Sequence, residues 1–266
     1  MIAMLQLLRA VAASMVLFIH AQHEVEQQLT LHGLGTWKAW EPVYWAGGVD
    51  IFFVISGFIM YRTTRGKFGT ARAARDFLLR RIERVVPLYW LFSALGLLAM
   101  LLAGSVMRLH AIDPVHVAAS FLFFPTTNAD GRYYPLLILG WTLNYELMFY
   151  ALFAMGMRFP ERAGLALIGA SLVALATATL AYDHLVGPFR FWCSPIVTEF
   201  GMGVALGYLH ARGLRLPPAL RVGLILLGIL AMVALKAHGV AGAYWQFRPL
   251  WMGLPALAIA AASVLG

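Results

Sequence analysis

The sequence predicts an all-α, polytopic transmembrane helix bundle, and three observations carry that prediction. Of the 266 residues, 61% are hydrophobic and only 12% are charged, with a mean hydropathy of +0.77. The apolar residues fall in long runs. The basic residues gather between those runs. An ordinary soluble domain is about 45–50% apolar and about 25% charged, so this chain has too few charges to cover a soluble core. The composition excludes a disordered chain and argues against a soluble globular enzyme. A net charge of +8 and a pI near 9.9 could point to nucleic acid, but charge placed between apolar runs is the pattern of membrane loops. No nucleic-acid partner is expected; the lipid bilayer is. The single cysteine, Cys193, excludes an internal disulfide and any all-cysteine metal site.

A bilayer core of about 30 Å needs about 20 mostly apolar residues as helix. Spans are accordingly expected at 4–22, 43–61, 85–104, 136–157, 163–182, 195–210, 221–237 and 249–265. The stretch 115–125 is apolar but too short to span, and reads as an interfacial or re-entrant helix. The first run carries Arg9 and His20 and has no small-residue cleavage site after it, so it reads as a first span and not as a removable signal. With the N-terminus in the cytoplasm, the loops 62–84, 158–162 and 211–221 face inward and hold thirteen of the 20 Lys and Arg residues. The outward segments hold six: Lys38, Arg108, Arg132, Arg190, Lys236 and Arg248. The positive-inside rule selects this orientation. No repeat or linker divides the chain, so 1–266 is expected to be one membrane domain. It stops inside an apolar run, Ser263-Val264-Leu265-Gly266, which predicts a chain truncated at its C-terminus.

A charge within the hydrocarbon region costs roughly 2.5–3.5 kcal/mol on insertion scales. The intramembrane ionisable residues are therefore the functional candidates: Arg9, His20, Asp50, Glu146 and Glu199. Arg9 and His20 are eleven residues apart, about three turns plus 20°, so they share one helical stripe about 16 Å long. A cation at one end and an imidazole at depth suit a long substrate with an anionic head. Equally, Arg9 can snorkel and His20 can bond a neighbouring carbonyl. Asp50, in Gly48-Val49-Asp50-Ile51, either pairs with His20 or favours a helix start. Arg81 and Arg84 share a helix face, where they either bind phosphates or mark topology.

Glu146, in Trp141-Thr142-Leu143-Asn144-Tyr145-Glu146, has no cation near it in sequence. It either orients an imidazole such as His20 or makes a structural hydrogen bond. Glu199 reads as structural, beside a small-residue packing face at Gly203 and Gly207, and Gly57 reads as a close-packing residue. His20 and His23 are three apart with Glu24 following, near metal-ligand spacing, but no set of three or four ligands accompanies them, so no metal is expected. His32, His110, His116, His184, His210 and His238 read as loop or interfacial residues.

These stretches together resemble the acyltransferase 3 family of membrane O-acyltransferases, in its exopolysaccharide and O-antigen acetylating branch. The matching segments, in family order, are Leu8-Arg9-Ala10 through His20, Gly48 through Phe58, Arg81 through Trp90, Trp141 through Glu146 with Phe149-Tyr150, and Glu199-Phe200-Gly201-Met202-Gly203. Each is weak alone; five in order are a strong signal. The resemblance implies a ten-helix domain in a bacterial inner membrane. It implies acyl-CoA, usually acetyl-CoA, as cytosolic donor and a hydroxyl of a polysaccharide or lipid-linked glycan as acceptor. The family's Arg-x10-His motif falls on Arg9 and His20, its Arg-x-x-Arg motif on Arg81 and Arg84, and its buried Glu after Trp on Glu146. The chain shows about eight spans where the family has about ten.

On this basis His20 is the expected catalytic base, or an acyl-imidazole nucleophile. Glu146 or Asp50 would hold its tautomer, and Arg9, Arg81 and Arg84 would bind the CoA phosphates. A homo-oligomer is compatible with these features. The rival from another class is a transporter or flippase for a lipid-linked glycan, which also explains buried charges. Against it stand the lack of a repeated half and of paired broken helices. A structural subunit of a secretion complex is a third reading, and leaves Arg9 and His20 without a task.

Overall fold

A computed structural model describes residues 2–103, 113–128, 131–181, 185–237 and 247–266. Arg108, His110, His184 and His238 lie outside the described residues. The described residues are helical and contain no strand. In chain order the helices are α1 (Ile2–Leu31), α2 (Gly47–Thr64), α3 (Ala71–Ala103), α4 (Pro114–Phe121), α5 (Trp141–Met157), α6 (Glu161–Ala181), α7 (Gly187–Trp192), α8 (Thr198–Ala211), α9 (Pro218–Ala237) and α10 (Leu254–Val264). Short 3₁₀ turns, Ile138–Gly140 and Pro195–Val197, lead into α5 and α8, and a π turn, Pro249–Gly253, leads into α10. Each of the eight expected stretches is thus helical. Four segments, Ala3–Leu31, Ala71–Leu102, Glu161–Thr179 and Pro218–Lys236, are long and apolar enough to cross a membrane.

Two helices run well past the expected limits. α1 continues nine residues beyond 22, through His23-Glu24-Val25-Glu26-Gln27-Gln28-Leu29-Thr30-Leu31. Glu and Gln are good helix formers, and Gln28 Nε2 donates to Glu24 Oε1 at 2.8 Å, one turn away. α3 begins at Ala71, not near 85, so most of the expected basic loop is the first four turns of a helix. Its arginines, read as loop residues because they interrupt hydropathy, are themselves favourable in helices. The 115–125 stretch forms α4, started by Pro114 and capped by Asp113, whose side chain accepts from Val115 N at 2.9 Å.

The chain forms two compact units, residues 1–63 with 198–266, and residues 64–197. In the first, Leu5, Leu8 and Ala12 of α1 pack into a core with Ile51, Val54 and Phe58 of α2, Leu206 of α8, Met232 of α9 and Ala256 of α10. α2 and α8 cross at backbone contact. A Cβ on Gly203 would overlap the Val54 carbonyl oxygen, and one on Gly57 would overlap that of Phe200. Phe53 and Phe200 stack beside this crossing, with ring centroids 4.4 Å apart. Without a hydrophobic drive between helices in lipid, such close approach supplies the packing.

In the second unit α3, α5 and α6 pack through aromatic rings, Phe77 against Phe153 at 5.3 Å and Phe153 against Phe149 at 5.9 Å. Gly156 of α5 and Gly164 of α6 again admit backbone approach. The loops are tied by buried donors. Tyr89 Oη donates to Ser120 O at 3.1 Å, and Tyr145 Oη to Phe191 O at 2.8 Å.

The glycine contacts predict a contrast. Gly57→Ala and Gly203→Ala should each destabilise by about 1–3 kcal/mol, the cost of overpacking, seen as a lower unfolding temperature in detergent. Gly96→Ala in α3, where a Cβ meets nothing within 4 Å, should hold or raise that temperature.

Candidate functional site

The first unit carries Arg9, His20, Asp50 and Glu199. α1 and α2 approach closely at Gly48, where a Cβ would stand 2.6 Å from the Ala12 carbonyl oxygen and 3.0 Å from Val16 Cγ2. His20 lies one turn beyond Val16, and Arg9 lies three residues before Ala12, so one unbroken helix carries both along the stripe that the spacing predicts. Both side chains are half-buried. Arg9 Nη1 reaches Gln6 Oε1 at 3.5 Å.

Asp50 stands in the first turn of α2, fully buried. Its oxygens are engaged by Arg248, with Nε–Oδ1 at 3.0 Å and Nη2–Oδ2 at 2.7 Å. Arg248 is itself buried, with its guanidinium 5.7 Å from the Tyr44 ring centroid. Of the two sequence options for Asp50, the structure places it at the helix start and gives it an arginine partner. The charge pattern puts Arg248 in an outward segment; 198 residues of separation leave no local signal of this pair. Glu199, also buried, stands beside Asp50 and against Gly253, where a Cβ would come 3.0 Å from Glu199 Cγ.

A third cluster sits where α1 meets the segment before α2. His23 Nε2 lies 2.7 Å from Glu41 Oε1, and Lys236 of α9 donates to Glu41 Oε2. Burial pushes the Glu41 carboxyl up, but the bonds from Lys236 and His23, with their charges, outweigh it and hold the group below its ordinary value. Gln22 Oε1 accepts from Trp40 N at 2.7 Å, and Glu26 Oε2 accepts from Ala39 N at 3.3 Å. Phe18, Trp40 and Trp45 form a ring trio with centroid separations of 5.3–6.2 Å. His23, whose spacing from His20 suggests only a metal ligand, is thus an imidazole fixed by a carboxylate.

The second unit brings together Arg81, Arg84 and Glu146. Arg81 is half-buried, its guanidinium 5.4 Å from the Phe77 centroid and 5.7 Å from that of Tyr150. Tyr150, one turn after Glu146 on α5, donates its hydroxyl to Glu146. Arg81 and Arg84 lie in the field of this pair. Glu146 had no visible cation in sequence; packing of α3 on α5 supplies two. Tyr150 is the residue that links them.

A family described as an acyltransferase domain matches residues 2–266. The Exopolysaccharide production protein ExoZ of Rhizobium meliloti (strain 1021) is 36% identical over 179 residues, covering 65% of this chain and 53% of that protein. Nodulation protein 10 of Rhizobium leguminosarum bv. viciae is 29% identical over 158 residues, covering 54% of this chain and 41% of that protein. The chain therefore spans about half the length of these curated relatives. No solved structure matches.

Two outcomes follow from the ion pairs. Asp50→Asn should cost about 3–5 kcal/mol by stranding the buried Arg248, while Asp50→Leu with Arg248→Met should recover most of the loss in thermal unfolding. The depressed Glu41 carboxyl contributes stability that is present above its ordinary value of 4.5 and lost as pH falls through its lower folded value. The difference in unfolding temperature between the native chain and Glu41→Gln should therefore shrink with acidification below about pH 4.5.

Proposed function

We propose a function from one premise: the chain belongs to the acyltransferase-domain family, whose match runs over residues 2–266. It is an integral membrane O-acyltransferase. It moves an acyl group, acetyl by preference, from cytosolic acyl-CoA to a hydroxyl of a cell-surface or exported polysaccharide. The bacterial inner membrane is its site of action. A relative named for exopolysaccharide production supports the acceptor class. The observation that carries the assignment is the half-buried His20 on the same helix as the half-buried Arg9, eleven residues on.

The chemistry follows from these side chains. A sugar hydroxyl is a poor nucleophile at neutral pH. His20 takes its proton as the oxygen attacks the thioester carbonyl carbon, and a C–O bond forms. The tetrahedral centre then collapses, the C–S bond breaks, and the CoA sulfur leaves with the proton that His20 returns. Such a base contributes typically about 10²–10⁴-fold. Arg81 and Arg84, three residues apart on α3, bind the CoA phosphates, where planar guanidinium groups suit two-point contact. Glu146 is a positioning residue: with Tyr150 it holds Arg81 in a fixed attitude, which keeps a long side chain from spending its rotamer entropy on binding. Asp50, paired with Arg248, is a positioning residue for the start of α2.

The test is transfer of labelled acetyl from acetyl-CoA to polysaccharide in membranes. His20→Ala should lose transfer by about 10²–10⁴-fold while keeping membrane expression; activity equal to the native chain would remove the catalytic role. Arg81→Ala with Arg84→Ala should raise KM for acyl-CoA more than it lowers kcat; an unchanged KM would return that pair to a topology signal. Glycan crossing the membrane with no acetyl transfer would favour a flippase.

A further inference from the structure

We propose that the end of the first unit formed by the C-terminal turns of α1 and the segment before α2 is a sugar-binding platform for a neutral hexose of the acceptor. Phe18, Trp40 and Trp45 form its stacking floor, and His23 and Glu41 form its hydrogen-bonding rim. The proposal rests on the O-acyl transfer reading, because it supplies that reaction with a place to hold its acceptor.

The floor is built and not merely exposed. Trp45 Nε1 donates to Trp40 O at 3.1 Å, and Trp40 N donates to Gln22 Oε1 at 2.7 Å. Phe18 stands edge-on to both indoles, at 6.2 Å and 5.3 Å. These contacts hold the rings while Trp40 stays 61% exposed. An aromatic belt residue needs only a ring at the headgroup level; it does not need its backbone and neighbours tied to buried amides. A pyranose presents one face of C–H bonds, which an indole covers, and a rim of hydroxyls, which need planar acceptors and donors. The rim supplies both. Glu41 keeps a lone pair on each oxygen beyond those taken by His23 and Lys236. His23 Nε2 is bound to Glu41, which leaves Nδ1 to a ligand.

An independent observation points the same way. Gln22 is buried, its Oε1 is used by Trp40, and its Nε2 finds no partner among the described residues. A buried amide donor left unpaired beside Trp40 is costly, and a sugar hydroxyl is a group that would satisfy it. Charge selects the kind of sugar. The rim acceptor is a carboxylate, Glu41, and Glu24 and Glu26 stand on the same stretch of α1 as His23, so the acidic group of an anionic sugar would meet acceptors where a neutral hexose offers hydroxyl donors. The platform also lies where it is useful. His23 is three residues after His20 on α1, a rise of about 4.5 Å, so a ring on the floor lies one turn from the proposed base.

The test measures binding without any acyl donor, so it stands apart from the outcome of the transfer assay. The full chain, labelled with 5-fluorotryptophan and held in lipid nanodiscs, is titrated with cellotetraose and, separately, with tetragalacturonate. Expected are saturable ¹⁹F shifts at Trp40 and Trp45 with cellotetraose and weaker binding of tetragalacturonate. Trp40→Ala should weaken cellotetraose by about tenfold or more, as truncation of an aromatic anchor does, with acyl-CoA affinity unchanged. Should Trp40→Ala fail to fold, the native chain alone decides: no saturable shift at either indole overturns the platform and leaves the rings as a membrane belt. Equal cellotetraose affinity in Trp40→Ala overturns it too, and tighter binding of tetragalacturonate overturns the neutral-hexose assignment.

Discussion

The structure depends on the rule that an ionisable group placed among apolar helices must meet its counterpart. The Asp50–Arg248 pair is the clearest instance. Taking both ions out of water costs several kcal/mol each, and only close two-point geometry with further bonds offsets this. Arg248 meets the condition with two charge-assisted bonds to Asp50 and a third to the Ala46 carbonyl oxygen at 3.4 Å. The pair thus fastens the residue just before the π turn to the first turn of α2. A π turn is rare and forms where packing imposes it. Here Pro249 follows Arg248 directly and Gly253 accepts the Glu199 side chain against its bare Cα. The irregular backbone and the buried charges are one arrangement.

The same rule orders the rest of each unit. In the first, Glu41 is held between His23 and Lys236. In the second, Glu146 is held by Tyr150 within the field of Arg81 and Arg84. A chain with 12% charged residues has few ions to distribute, and Asp50, Glu41 and Glu146 each stand in such a cluster. Glycines make the clusters reachable. Only because Gly57 and Gly203 carry no Cβ can α2 and α8 meet at backbone distance, which sets α2, and so Asp50, at its depth in the first unit.

Much of this was legible in sequence, and what was not has a physical cause. Helices were legible because a hydropathy run of 16–22 residues is a one-dimensional signal, and the roles of Gly57 and Gly203 were legible because small residues in apolar helices have few other uses. The early start of α3 was not, since Arg72, Arg75, Arg80 and Arg81 break hydropathy without breaking a helix. The stripe of Arg9 and His20 was legible, being a property of one helix. The pairings were not. Asp50 and Arg248 are joined only by the fold, and an arginine before a proline near an expected helix looks the same whether it faces water or a carboxylate. Glu146 and Arg81 were each visible, yet that they share a cluster follows from α3 packing on α5, which periodicity does not encode.

The two imidazoles of α1 show how local context divides labour on one helix. His23 and His20 are one turn apart, and spacing alone gives them equal claims as bases. The structure separates them. His23 has a nitrogen committed to Glu41, which itself is shared with Lys236. That suits a fixed hydrogen-bonding group. His20 is half-buried, four residues past Val16, whose side chain faces Gly48, and among the described residues no carboxylate is seen bonded to it. Its nitrogens are left for substrate. On the proposed function, this division assigns proton transfer to His20 and acceptor recognition to His23.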